Sequence, residues 1–168
     1  MSLVRAAPAR QSGFTIIELM MVVVIVGILG TIAAPSMREM VVRQRVRTVS
    51  SDVYASIILA RGEAIKRATT VTVTPVSSSW ANGWTVTTTQ GGSPITLETK
   101  DAPAAVNWSA PSSLAFGANG RTTGTASVEF RLNSTEYPTV PMRCITIAPS
   151  GRPNIKTDTD GNGANGCN

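Results

Sequence analysis

The chain predicts an α+β protein, a long N-terminal, partly membrane-embedded helix packed on a small antiparallel β-sheet domain. Three observations lead there. An almost wholly apolar run of 21 residues spans Phe14 to Ala34. A stripe of small apolar residues at helical spacing follows it as far as Ala64. From Thr69 onward the apolar period drops to two, and Gly, Pro, Asn and Ser punctuate the chain.

The run "FTIIELMMVVVIVGILGTIAA" is longer than a small domain usually hides, so a buried core helix fits it poorly. A secretory signal peptide is the competing reading, because Arg5 and Arg10 form a basic leader. Against it stand the length of the run, Glu18 inside it, and Pro35 directly after Ala33-Ala34. A retained membrane helix over residues 14–35 fits best. Basic residues flank the run on both sides, with Arg38, Arg43, Arg45 and Arg47 beyond it, so charge alone leaves its orientation open. Glu18 needs a partner, since an ionised carboxylate is costly in hydrocarbon. Nothing in the run pairs with it, whereas a new N-terminal amine at Phe14 would.

Residues 36–68 contain no Pro and one Gly, Gly62. Val42, Val46, Val49, Val53, Ile57, Ala60 and Ala64 recur at spacings of three and four, which predicts an amphipathic continuation of the helix. Residues 69–168 then read as about six to eight short strands, among them "TTVTVTP", "GWTVTTTQ", "PITLETK", "ASVEFRL" and "RCITIAP". Trp80, Trp84 and Trp108 are expected to be core or sheet-covering aromatics.

Composition excludes much catalytic chemistry. There is no histidine, which removes imidazole bases, Ser-His-Asp and Cys-His arrangements and nearly all catalytic zinc sites. The ten acids are scattered, and no Gly-rich phosphate loop follows a strand, so no enzyme and no cofactor is expected. Cys144 and Cys167 would pair in an oxidising compartment and remain thiols in the cytosol. A bond between them would close the C-terminal tail.

Ser12-Gly13-Phe14-Thr15-Ile16-Ile17-Glu18-Leu19 resembles the class III leader of type IV pilins and of type II secretion pseudopilins. The resemblance implies that residues 1–13 are a leader removed by a prepilin peptidase between Gly13 and Phe14. It also implies that Phe14 is N-methylated, that Glu18 aligns each subunit with its neighbour, and that Pro35 kinks the helix. "LARGEAIKRATTVTV", "AFGANGRTTG" and "IAPSGRPNIK" are similar to the helix end and closing strands of the GspH/FimT group of minor pilins and pseudopilins. Residues 74 to 113 carry no such likeness.

The resemblance implies a filament subunit acting by assembly. Its expected partners are other minor and major pilins or pseudopilins, the prepilin peptidase and an inner-membrane assembly platform. Its expected place is the bacterial inner membrane, crossed once, with a periplasmic C-terminal domain, and then a filament. Of two machines, the cysteine-closed tail beside Gly151-Arg152 favours a type IV pilus, with a FimT/FimU-like minor pilin in a priming or tip complex, and the alternative is a type II secretion system with an H-type minor pseudopilin.

Two further sites are weighed against plainer readings. Some members of the group bind DNA through a basic C-terminal loop. Here Arg152, Lys156 and Arg143 are the candidate phosphate contacts, against a solvated strand end. The second arginine of the group's loop is absent, and without residues 1–13 the charge is only +3, thirteen basic residues against ten acidic. Asp158, Asp160 and Asn162 alternate like the front of a calcium loop, but the chain stops before the position of its bidentate Glu. A polar turn closed by Cys167 is the alternative.

Overall fold

The computed structural model describes residues 13–101, 103, 105–160, 166 and 167, with the side chains of residues 32–36 also outside the description. It divides into two compact units, residues 1–38 and 39–168. One helix, α1 (Ile16–Arg67), contributes to both.

In the first unit, α1 begins at a defined cap. Thr15 stands at the N-cap: its carbonyl accepts from Leu19 N–H at 3.1 Å and its hydroxyl accepts from Glu18 N–H at 3.2 Å. That is one half of a Thr-x-x-Glu capping box, and it answers one of the free donors of the first turn. Pro35 lies within the bounds of α1, while the bend expected there falls outside the described residues.

The second unit holds eight strands among the described residues. They are β1 (Val71–Pro75), β2 (Trp84–Gln90), β3 (Ser93–Lys100), β4 (Val106–Ser109), β5 (Leu114–Phe116), β6 (Val128–Ser134), β7 (Arg143–Ile147) and β8 (Pro153–Thr157). They form two four-stranded sheets in the orders β3-β2-β1-β5 and β4-β6-β7-β8, and all the pairings are antiparallel. The sequence predicts a small antiparallel domain; its partition into two sheets is a finding of the structure.

Both sheets close on the same stripe of α1. Val42, Val46, Val49, Val53, Ile57, Ala60 and Ala64 are all buried, and they join Val71, Val73, Val86 and Phe116 of one sheet with Phe130, Leu132, Ile145 and Ile147 of the other in one core. Alternation explains the sheet contribution, since every second side chain faces the helix. Trp80 and Trp84 are buried, and Trp108 packs beside them, with Trp80 edge-on to Phe130 at a centroid distance of 4.9 Å. Aromatic pairs favour such tilted contacts.

Some polar groups in this core are paired across long sequence distances, whereas Trp108 Nε1 is buried without a partner among the described residues. Ser56, on the buried side of α1, accepts from Trp84 Nε1 at 3.0 Å and donates to Glu98 Oε2 at 2.5 Å. At the other end, Arg61 Nε donates to Gly120 O at 3.0 Å, tying α1 to the turn after β5. Gly151, in the β7–β8 turn, sits so close that a Cβ there would lie 2.0 Å from Gly120 O, and its φ of +78° suits glycine. The two turns therefore meet backbone to backbone, and Thr122 N–H donates to Pro149 O at 3.2 Å between them.

α1 ends in a Schellman motif. Thr69 N–H reaches Ala64 O and Ala68 N–H reaches Ile65 O, with Ala68 at φ +50°. This conformation disfavours a Cβ. Ala68→Gly is expected to stabilise the protein by roughly 0.5–1 kcal/mol, read as a higher urea midpoint with the full chain in uncharged detergent.

The tail is fastened by a disulfide between Cys144 and Cys167, which are 23 residues apart. Both sulfurs are buried with Met142 in a small cluster apart from the main core. Reduction is expected to destabilise the β domain by about 3 kcal/mol on loop-entropy grounds. Unfolding with and without reductant measures it, and Cys144→Ala/Cys167→Ala should match the reduced protein.

Candidate assembly helix and basic faces

From Phe14 to Leu29 the apolar side chains of the first unit are exposed on every side, from 51% at Val22 to 86% at Phe14. A soluble monomer rarely presents so much contiguous apolar surface. The helix has no stripe here because its apolar residues are consecutive, so no single face is singled out for burial. Such a segment suits an apolar surround, either lipid or other helices of the same kind.

The described part of this run is shorter than the ~20 residues that a bilayer core requires. Among the described residues, no helix is long and apolar enough to cross a membrane. The expected span over residues 14–35 therefore rests partly on residues 32–35, whose side chains lie outside the description.

Glu18 is exposed, one turn into α1 and four residues past Phe14. Its carboxylate meets no cation or donor among the described residues. It sits where the partial positive charge of the helix N-terminus favours an anion. Among the described residues the carboxylate thus keeps its oxygens open toward another molecule. Gly13 and Phe14 precede the helix without regular secondary structure, and both are exposed. Thr15 was not singled out from the sequence, although its three-residue spacing from Glu18 is a readable capping signal.

The C-terminal cations are not one cluster. In the ladder of the second sheet, Leu132, Arg143 and Thr157 stand opposite one another, as do Arg131, Cys144 and Lys156. Adjacent rows face opposite sides of a sheet. Arg143 therefore lies on the same side as the core residues Phe130, Leu132 and Ile145, and its Nη1 donates to Thr157 Oγ1 at 2.7 Å. Arg152 and Lys156 lie along a groove of about 610 Å³ on the outer side, with Thr146 and Asn154. Nearby on that side, Arg131 is already engaged by Glu129 at 2.7 Å.

The acidic tail is arranged as a turn. Asp158 is buried; its N–H donates to Met142 O at 2.8 Å and its Oδ1 accepts from Asp160 N–H at 3.3 Å. Among the described residues, no three His, Cys, Asp or Glu side chains come together as a metal site would require. Asn162 lies outside the described residues.

Against known proteins, residues 50–151 match the family model described as "Type II transport protein GspH". Residues 8–34 match the "Prokaryotic N-terminal methylation motif". Two curated proteins of Pseudomonas aeruginosa, each named "Fimbrial protein", are 38% identical over 89 residues, covering 49% of this chain and 54% of theirs. The chain thus spans about half the length of the curated relatives it matches. Two crystal structures of the type IV minor pilin FimU from Pseudomonas aeruginosa superpose with TM-scores of 0.59 and 0.57. They cover 68% and 66% of this chain and 90% and 91% of theirs, at 20% and 19% identity, which establishes a shared fold. With a domain match over more than half its length and the methylation motif at its head, the chain belongs to the GspH/FimT family of type IV minor pilins and pseudopilins.

Proposed function

We propose that this protein is a FimU-like minor pilin that enters a type IV pilus through α1 and helps prime filament assembly. The observation that carries the reading is the exposed apolar segment Phe14–Leu29 with, at its head, the carboxylate of Glu18, which meets no cation among the described residues. In this reading the leader is removed after Gly13, and the new amine at Phe14 of one subunit meets Glu18 of a neighbour. The apolar helices then bury one another, after residing in the inner membrane with the β domain on the periplasmic side. The interaction has two parts. Burial of apolar area supplies most of the free energy without direction. The single ion pair, formed in a dry surround, sets the axial register, because a slipped helix leaves a charge unpaired.

The family model's description in terms of type II transport supports a second reading, a minor pseudopilin of a secretion system. The "Fimbrial protein" relatives and the FimU fold incline the choice to the pilus. A DNA-binding role at the pilus tip loses support, because Arg143 lies on the opposite side of the sheet from Arg152 and Lys156. The remaining two cations give a contact of at most about two phosphates.

Glu18→Ala is the direct test. The mature chain should still begin at a methylated Phe14 by intact mass, because the cut precedes the helix. Its recovery in sheared pili should fall at least tenfold, as expected when a buried charge loses its partner. Normal recovery of Glu18→Ala would contradict the register role. A mature chain beginning at Pro35 or Ser36 would return the apolar run to a cleaved signal.

A further inference from the structure

The inner side of the second sheet ends in a basic cavity that the assembly reading leaves unused. It has a volume of about 570 Å³ and lies between α1 residues Met40–Arg47 and, on the other wall, Pro141 with the strand residues Arg143 and Thr157. Three of its lining residues are arginines, Arg43, Arg47 and Arg143, and among the described residues no Asp or Glu lines it. Arg43 is answered by Glu39 at 2.9 Å, one turn back along the helix. Among the described residues Arg47 and Arg143 meet no carboxylate, and the Arg47 charge acts on the Arg143 guanidinium.

Arg143 is the telling residue. It occupies a row of the sheet whose other members are Leu132 and Thr157, so its stem is held against the core. Its Nη1 is spent on Thr157, but its Nε is buried and has no hydrogen-bond partner. A buried N–H of a charged group left unanswered is costly, and the cost rises where water is scarce. Burial, with the Arg47 charge adding to it, lowers Arg143 from the usual arginine range. Arginine nevertheless stays charged at neutral pH. The local excess of positive charge therefore calls for an anion, not for loss of a proton.

The donors also indicate which anion. The Arg47 guanidinium comes from a helix, and the Arg143 guanidinium from a strand. The Thr157 hydroxyl accepts from Arg143 and keeps its own proton to donate, and the Gln44 amide stands at the cavity wall. These come from different elements, Gln44 and Arg47 from α1 and Arg143 and Thr157 from β7 and β8. A carboxylate presents two oxygens in one plane and suits a single guanidinium fork. A tetrahedral phosphate presents oxygens in several directions and can take all four donors. Met40, Val46 and Pro141 supply an apolar margin that strengthens such contacts.

We propose that this cavity binds a phosphate group, held between Arg47 and Arg143. Free inorganic phosphate and the headgroup of an anionic phospholipid share that chemistry. The test uses the full chain in uncharged detergent, titrated separately with inorganic phosphate and with dihexanoyl-phosphatidylglycerol kept below its micelle-forming concentration. Saturable binding of at least one probe is expected. It should weaken at least tenfold in Arg47→Ala and in Arg143→Gln, and stay unchanged in Lys66→Ala, which removes an exposed cation in the last turn of α1. Binding of phosphate alone assigns a free anion, and binding of the lipid, with or without phosphate, assigns a headgroup. Arg47 is exposed, so its replacement spares the core and decides the matter if Arg143→Gln does not fold. Absence of saturable binding by both probes, or binding that Arg47→Ala leaves intact, would overturn the proposal.

Discussion

Burial of one narrow stripe of α1, Val42 to Ala64, is the constraint on which the β domain depends. The two sheets share a core only because each packs its inner side onto that stripe. Its residues are small, and near its end Ala60 and Ala64 are fully buried. There the chain approaches closely: Gly120 stands where a Cβ would meet Ile65, and Gly151 where it would meet Gly120. Larger residues in the last turns of the stripe would push both glycine turns away and free the carbonyl that Arg61 holds. Removing a buried Val or Ile would instead leave a cavity under both sheets at once.

The same helix obeys a different rule in the first unit. There the apolar residues are consecutive, exposed and without a partner in the described chain. One continuous helix thus carries a segment completed by its own β domain and a segment that other molecules must complete. Glu18 marks the second kind of segment, since a lone carboxylate among apolar neighbours makes sense when a cation arrives with the partner. The charge distribution follows a related logic. Basic residues of the β domain divide between an outer groove with Arg152 and Lys156 and an inner cavity with Arg47 and Arg143.

Much of this was legible in the sequence because it is periodic. All seven stripe residues named from their spacing are buried, and α1 ends within a residue of the expected boundary. Alternation located five of the eight strands, β1, β2, β3, β6 and β7, where apolar residues alternate with Thr or charged ones, but not β4, β5 and β8. The pairing of Cys144 with Cys167 could be expected from an oxidising compartment, though its geometry could not. The partition into two sheets depends on which strands pair, and that is decided by contacts distant in sequence. For the same reason Arg143 could be grouped with Lys156 on charge alone. The cross-strand register, Cys144 opposite Lys156 and Arg143 opposite Thr157, puts them on opposite sides. The Ser56–Glu98–Trp84 network had no local signal, being formed across 42 residues between Ser56 and Glu98. Thr15 did have one and is the cap that local spacing alone would have found.

The central claim is that the exposed part of α1 is completed by other pilin-like subunits. The most direct measurement places a photo-crosslinking amino acid at Ile25, within the exposed apolar run, in the full chain in its native membranes. The adducts are then identified by mass spectrometry. Crosslinks to the corresponding helices of major and minor pilins, lost in Glu18→Ala, are the expected result. A chain that reaches the membrane yet yields only lipid adducts, with Glu18→Ala making no difference, would contradict the claim.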